Sequence, residues 1–100
     1  LAHVVRYNTE VVPEEIDRIG EAFAAGAASS GLDLAGAPDL ATAVDLLRER
    51  LGLPRGLTEV GVSDDDIEAV ARMAGGSPAV RANPRPVAER DALGILENAS

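Results

Sequence analysis

Cysteine is absent from the 100 residues, and aromatic side chains amount to only 2%. Without thiols there can be no disulfide, no thiolate metal site and no thiol nucleophile, although cytosolic proteins also commonly lack cysteine, so compartment is not decided. Histidine occurs once, at His3. A Ser-His-Asp triad, a two-histidine zinc motif or a His-carboxylate relay would have to rest on that one ring. It lies in an apolar helical stretch, where a packed imidazole is commoner than a catalytic one. Positive charge is scarce: Lys+Arg total 9 against 17 Asp+Glu, a formal net charge of -8. Such a field repels phosphate backbones and argues against nucleic acid as a partner. No apolar run approaches a membrane span, and no basic-then-apolar leader is present, so the expectation is a soluble, cytoplasmic protein. There is no serine elbow, no dinucleotide fingerprint and no repeat of fixed period.

What is present suits close-packed helices. Hydrophobic residues make up 46%, and with so few aromatics the core must come from Ala, Leu, Val and Ile. A chain of this length supports one modest core. The expected fold is all-α, a compact bundle of about five short helices in a single domain over residues 1–100. Leu1 to Asn8 already reads as a helix in mid-course, with no Ser, Thr, Asp or Asn before its first apolar residue. That is the look of a fragment.

A second helix is expected from Pro13 to about Ala28. Pro13 suits a first helical position, and Glu14, Glu15 and Asp17 lie near the positive end of the dipole. Ile16, Ile19 and Phe23 form its apolar stripe, Gly20 and Ala27 leave room for a neighbour, and Gly31 ends it. Its glycines lack the preceding strand and spacing of a phosphate cradle. A third helix is expected from Pro38 to Leu51, with Leu40, Val44, Leu47 and Leu51 on one face, Ala43 beside them, and Gly52 and Pro54 as the stop. Leu57 to Val62 reads as a single buried turn. Ser63 is an N-cap with Asp66 at the reciprocal position of a capping box, ahead of Ile67, Val70, Ala71 and Ala74. The run Asp64-Asp65-Asp66 lacks the alternating ligands and mid-loop glycine of a calcium site, so these carboxylates are read as helix-start residues. The last helix, about Glu89 to Ala99, turns Leu93, Ile95 and Leu96 inward. Before it stands Asn83-Pro84-Arg85-Pro86, where two prolines fix their own φ and push the preceding residues out of the helical region. This predicts a pinned, extended connector.

Three stretches in order carry a resemblance: Leu1 to Asn8 (LAHVVRYN), Leu51 to Val62 (LGLPRGLTEVGV) followed by an acidic helix start, and Asn83 to Pro86 (NPRP) before a terminal helix. Together they resemble the C-terminal end of the iron-containing alcohol dehydrogenase family, with the maleylacetate reductase branch a close candidate. The resemblance implies a two-domain parent: an N-terminal nucleotide-binding domain holding NAD(P), which is then the partner domain of this chain in the same polypeptide, and a helical C-terminal part. It implies hydride transfer between the nicotinamide and an alcohol or carbonyl group, with Fe2+ as a Lewis acid on the substrate oxygen. In the family pattern the aspartate and histidine ligands lie upstream of Leu1, and His3 matches a later, non-ligand histidine. No catalytic, cofactor or metal residue therefore carries over, and the isolated chain should be inactive and bind no cofactor.

The resemblance also implies that Ala79 and Val80 form part of a substrate-pocket wall, supplying shape and water exclusion. Asn83, Pro84, Arg85 and Pro86 are then structural: the Asn amide satisfies nearby backbone groups and Arg forks to a carboxylate or helix C-terminus. Where the family commonly caps the last helix with Ser or Thr, Ala88 stands here, predicting a frayed start costing about 1 kcal/mol. The alternative reading is a free-standing acidic helical module that binds a partner helix in an apolar groove. A helix-turn-helix DNA binder over Gly52 to Ile67 is disfavoured by charge and by the lack of a basic recognition helix. A severed domain could also form a homo-oligomer through its uncovered apolar surface, to which the helices Pro13 to Ala28 and Pro38 to Leu51 would contribute.

Overall fold

The computed structural model describes residues 1–34 and 36–100. Among them the regular elements are helical: α1 (Ala2–Thr9), α2 (Pro13–Ser29), α3 (Leu40–Arg50), a 3-10 turn at Leu57–Val60, α4 (Asp64–Ala74), α5 (Pro78–Arg81) and α6 (Glu89–Ala99). The all-α expectation holds, and the single turn at Leu57 stands where the sequence places it, but it is not buried: Leu57 is half-buried and Val60 is 58% exposed, because four residues of 3-10 turn offer too little surface to bury both apolar side chains. The short α5 is additional. The chain divides into two compact units, Leu1–Leu53 and Pro54–Ser100.

In the first unit α1 and α2 both pack on α3. Ala2, Val5, Leu40 and Ala41 form the buried cluster, with Ile16, Phe23 and Val44 half-buried against it. α2 therefore faces inward along Ile16, Gly20, Phe23 and Ala27, spacings of four, three and four that follow the 3.6-residue turn. Gly20 allows the close approach: a Cβ there would lie 3.6 Å from Leu40 Cβ. Ile19, expected on the same stripe, instead stands 53% exposed, one flank away. Leu51 is also outside, because α3 has ended by then. The helix starts two residues later than Pro38, since Asp39 caps it by accepting the Thr42 N–H at 2.8 Å. At its end Gly52 takes φ 65°, which lets Leu53 N–H reach back to Arg48 C=O at 3.1 Å. Arg6 of α1 meets Asp45 of α3 at 2.8 Å on the surface.

In the second unit α4 packs on α6. Ile67, Ala71 and Ala92 are buried, and Leu93, Ile95 and Leu96 are half-buried beside them. The expected capping box at α4 is complete: Ser63 Oγ accepts the Asp66 N–H at 3.2 Å, and Asp66 Oδ2 accepts from Ser63 N–H at 2.9 Å and from its hydroxyl at 2.6 Å. Val70 departs from expectation, standing 50% exposed. At α6, Ala88 has no side-chain oxygen to offer, so only the return half of a box exists, Ala88 N–H to Asp91 Oδ2 at 2.9 Å. Asp91 thus supplies half of what a Ser or Thr cap would have completed. Gly56 lies against the end of α6, where a Cβ would meet the carbonyl oxygens of Ala99 and Ser100.

Candidate functional site

Ala79 and Val80 both fall on α5, Ala79 exposed and Val80 half-buried. The signal for that helix is local: Pro78 occupies the first helical position behind Ser77, and four residues of turn follow. Its backbone is closed by Arg81 N–H to Ser77 C=O at 3.1 Å and Ala82 N–H to Pro78 C=O at 3.0 Å. Asn83 N–H then donates to Val80 C=O at 3.1 Å. The chain bends over Asn83, Pro84 and Arg85 before running irregularly to Ala88, rather than extending from Asn83 onward. Asn83 spans that bend, its Nδ2 donating to Arg85 C=O at 2.7 Å. An amide side chain that bonds the carbonyl two residues on holds Pro84 between two fixed points. Asn83 and Arg85 are half-buried, Pro84 and Pro86 exposed. The sequence from Ser77 to Pro86 is therefore a run of consecutive turns tied by its own hydrogen bonds, and neither Ala79 nor Val80 has a group that can carry a proton.

A second concavity lies in the first unit, a groove of about 320 Å³ between α2 and the start of α3, lined by Leu34, Leu40, Ala43, Asp17, Glu21 and Asp39. Sequence reading did not single it out, because it forms where Gly20 and Ala24 leave α2 thin beside a loop. Asp39 is committed within it to capping α3. Thr42, through its backbone N–H first and its hydroxyl second, holds the Asp39 carboxyl below the ordinary carboxylate range. Asp66 is lowered in the same way, by the Ser63 hydroxyl and then by the Ser63 N–H. Both shifts keep the carboxylates ionised. A general acid needs the opposite shift, toward neutrality.

His3 is half-buried on α1. Among the described residues no three His, Asp or Glu side chains gather as a metal ion would require. Nor does any buried side-chain nitrogen or oxygen among them lack a hydrogen-bond partner, so no buried polar side chain is left aimed at a ligand. The donor set of the described residues does not fit an iron site.

The comparisons with known proteins agree with the ordered motifs. All of residues 1–100 match the family described as Fe-containing alcohol dehydrogenase family, C-terminal. An NAD-dependent methanol dehydrogenase of Bacillus methanolicus is 32% identical over 100 residues, covering 99% of this chain and 26% of that protein. A maleylacetate reductase of Burkholderia cepacia is 36% identical over 97 residues, covering 96% of this chain and 23% of that protein. This chain thus spans about a quarter of the length of the curated relatives it matches. No solved structure gives a significant match. With a family match from first residue to last and an all-helical fold to go with it, the chain belongs to the Fe-containing alcohol dehydrogenase family, as its C-terminal part.

Proposed function

We propose that residues 1–100 are the C-terminal helical part of a longer two-domain oxidoreductase that moves hydride between NAD(P) and an alcohol or carbonyl group. The observation that carries this reading is the family match over the whole chain, supported by two relatives whose names are a dehydrogenase and a reductase. In this reading the nicotinamide and the iron are held by the rest of the polypeptide, and cofactor chemistry is the hydride transfer itself. The helical part contributes one wall of the cleft. α5 and the bend after it suit that task. The turns fix the backbone of Ala79 and Val80 through bonds of 3.0 to 3.1 Å, and two small apolar side chains there set the shape of a pocket and keep water out without competing for protons. The protein would work in the cytoplasm, where NAD(P) is plentiful.

The test starts with the intact mass of the native gene product, expected to be several times the 10.3 kDa of this chain. That product should oxidise NAD(P)H with short aldehydes or with maleylacetate, the substrate classes suggested by the two relatives' names. Residues 1–100 alone should give a helical circular dichroism spectrum and no turnover. Hydride transfer by residues 1–100, or a long gene product inert toward every alcohol, aldehyde and keto acid offered with NAD(P)(H), would overturn the reading.

A further inference from the structure

Helices α2 and α3 stop in the same way. Two residues past the last helical one a glycine takes a left-handed backbone, Gly31 at φ 76° and Gly52 at φ 65°. The next N–H then reaches back over the last turn, Leu32 to Ala27 C=O at 2.9 Å and Leu53 to Arg48 C=O at 3.1 Å. α4 ends at Ala74 with a glycine at the matching place, Gly76, and half of the closure is made. Gly76 N–H donates to Met73 C=O at 3.1 Å, as Gly52 N–H does to Glu49 C=O at 3.0 Å. The other half is missing. Gly76 has no positive φ, and Ser77 N–H donates to Ala74 C=O at 3.0 Å instead of reaching Arg72. Close packing does not call for a glycine there either: an added Cβ would lie 3.5 Å from the Met73 carbonyl oxygen, an ordinary contact. In the described conformation Gly76 makes no use of what glycine alone can do.

The segment that follows is built to move as a piece. No residue from Gly75 to Ala88 is buried, and the helices that pack on each other in this unit are α4 and α6. The far end of the segment is stiff: Pro84 and Pro86 fix their own φ, and Asn83 Nδ2 holds Arg85 C=O at 2.7 Å. Backbone freedom is concentrated at the near end. We propose that Gly76 is a hinge for α5. In the second conformation Gly76 takes the left-handed place that Gly31 and Gly52 occupy, Ser77 N–H exchanges Ala74 C=O for Arg72 C=O, and α5 swings with Ala79 and Val80. The exchange loses no hydrogen bond and uncovers no buried side chain. The inference rests on the reading of Ala79 and Val80 as a cleft wall in a longer oxidoreductase, and it adds how that wall is worked: it opens to admit substrate and closes to keep water from the hydride transfer.

The test uses the full-length native gene product carrying Gly76→Ala or Gly76→Asn, with Gly75→Ala as control. A left-handed backbone is roughly five- to thirtyfold less accessible to alanine than to glycine, whereas asparagine, the larger side chain, tolerates it. Gly75 takes φ -60° and ψ -21°, which any residue adopts, and its added Cβ would meet nothing within 4 Å beyond its chain neighbours and its own helix backbone. Oxidation of NAD(P)H with short aldehydes or maleylacetate is followed alongside thermal unfolding. In Gly76→Ala, kcat/KM should fall about five- to thirtyfold, in Gly76→Asn clearly less, and in Gly75→Ala not at all, with every thermal midpoint within about two degrees of the parent. Gly76→Ala as active as its parent would overturn the hinge. So would Gly76→Asn falling below Gly76→Ala, since bulk and not backbone would then decide. A thermal midpoint that drops together with activity in Gly76→Ala would also overturn it, because the fold itself would need the glycine. Turnover by a parent that Gly76→Ala matches sinks the hinge and leaves the function standing, whereas a parent without hydride transfer removes both.

Discussion

Gly56→Ala should destabilise the Pro54–Ser100 unit although the backbone at this glycine is unstrained, with φ -154°. The obstacle is space. An added Cβ would lie 2.9 Å from the Ala99 carbonyl oxygen, 2.9 Å from the Ser100 carbonyl carbon and closer still to the Ser100 carbonyl oxygen. These are backbone atoms, so no rotamer change relieves the clash; the end of α6 has to move away. Overpacking of this kind costs about 1–3 kcal/mol, and the lower entropy of the unfolded alanine chain returns about 0.4–1 kcal/mol. A net loss of about 1–2 kcal/mol follows, equal to a five- to thirtyfold fall in the folded-to-unfolded ratio. The assay is urea unfolding followed by far-ultraviolet circular dichroism, with peptide hydrogen exchange over residues 89–99 to locate the change. Gly94→Ala provides the control. It lies inside α6, where the added methyl meets nothing within 4 Å beyond its chain neighbours and its own helix backbone, so helix propensity acts alone and the variant should gain about 1 kcal/mol. A Gly56→Ala protein as stable as its parent, with unchanged exchange in α6, would refute the packing argument.

Removal of the α3 cap by Asp39→Ala should cost about 1 kcal/mol, seen as a lower urea midpoint, and Asp39→Asn should recover most of it because the amide oxygen still accepts from Thr42. Asp39 and Asp66 both have pKa values lowered in the folded chain, so the unfolded carboxyls take up protons first as pH falls. Their stabilisation should therefore be complete above the ordinary carboxylate value of about 3.9 and be lost below it, as pH falls through the lowered folded values. Urea midpoints measured from pH 7 down to pH 2 check this, and Asp66→Asn should flatten the acid limb. Arg6 and Asp45 join α1 to α3 at 2.8 Å but remain 48% and 34% exposed. A double-mutant cycle on the pair should give a coupling of about 0.5 kcal/mol that fades in high salt.

What was legible in the sequence was what is decided within one turn of chain. The Ser63-Asp66 box, the stop at Gly52 and the first position of Pro13 were readable because caps depend on neighbours three or four residues away. Asp39 was as local and could have been read as a cap; Pro38 drew the expected start of α3 two residues early. Faces were harder. Periodicity shows which side of a helix is apolar, but not how much of that side a neighbour will cover. Ile19 and Val70 sit on true apolar arcs and are still half-exposed, because α2 and α4 present wider arcs than their contacts within the chain use. Leu51 continues the apolar period of α3 one residue beyond the end of the helix, and so points outward.

The candidate site was illegible to chemical reasoning for a different reason: its residues have no chemistry of their own. Perturbed acidities usually direct attention to a functional site. Here the two that shift are Asp39 and Asp66, each with its pKa lowered by the helix start that it caps, so the perturbation records a structural duty. Ala79 and Val80 titrate nothing, and Asn83 spends its amide on the bend beside them. Reaction chemistry in a family of dehydrogenases cannot be assembled from such groups, and what pointed to them was the order of motifs along the chain. The division of labour follows. If the reacting groups belong to the rest of the polypeptide, substitutions in residues 1–100 should act on catalysis through the fit of the cleft, with Val80→Ala raising KM or relaxing substrate preference more than it lowers kcat. A change confined to kcat with KM unmoved would instead mean that this wall touches the transition state alone.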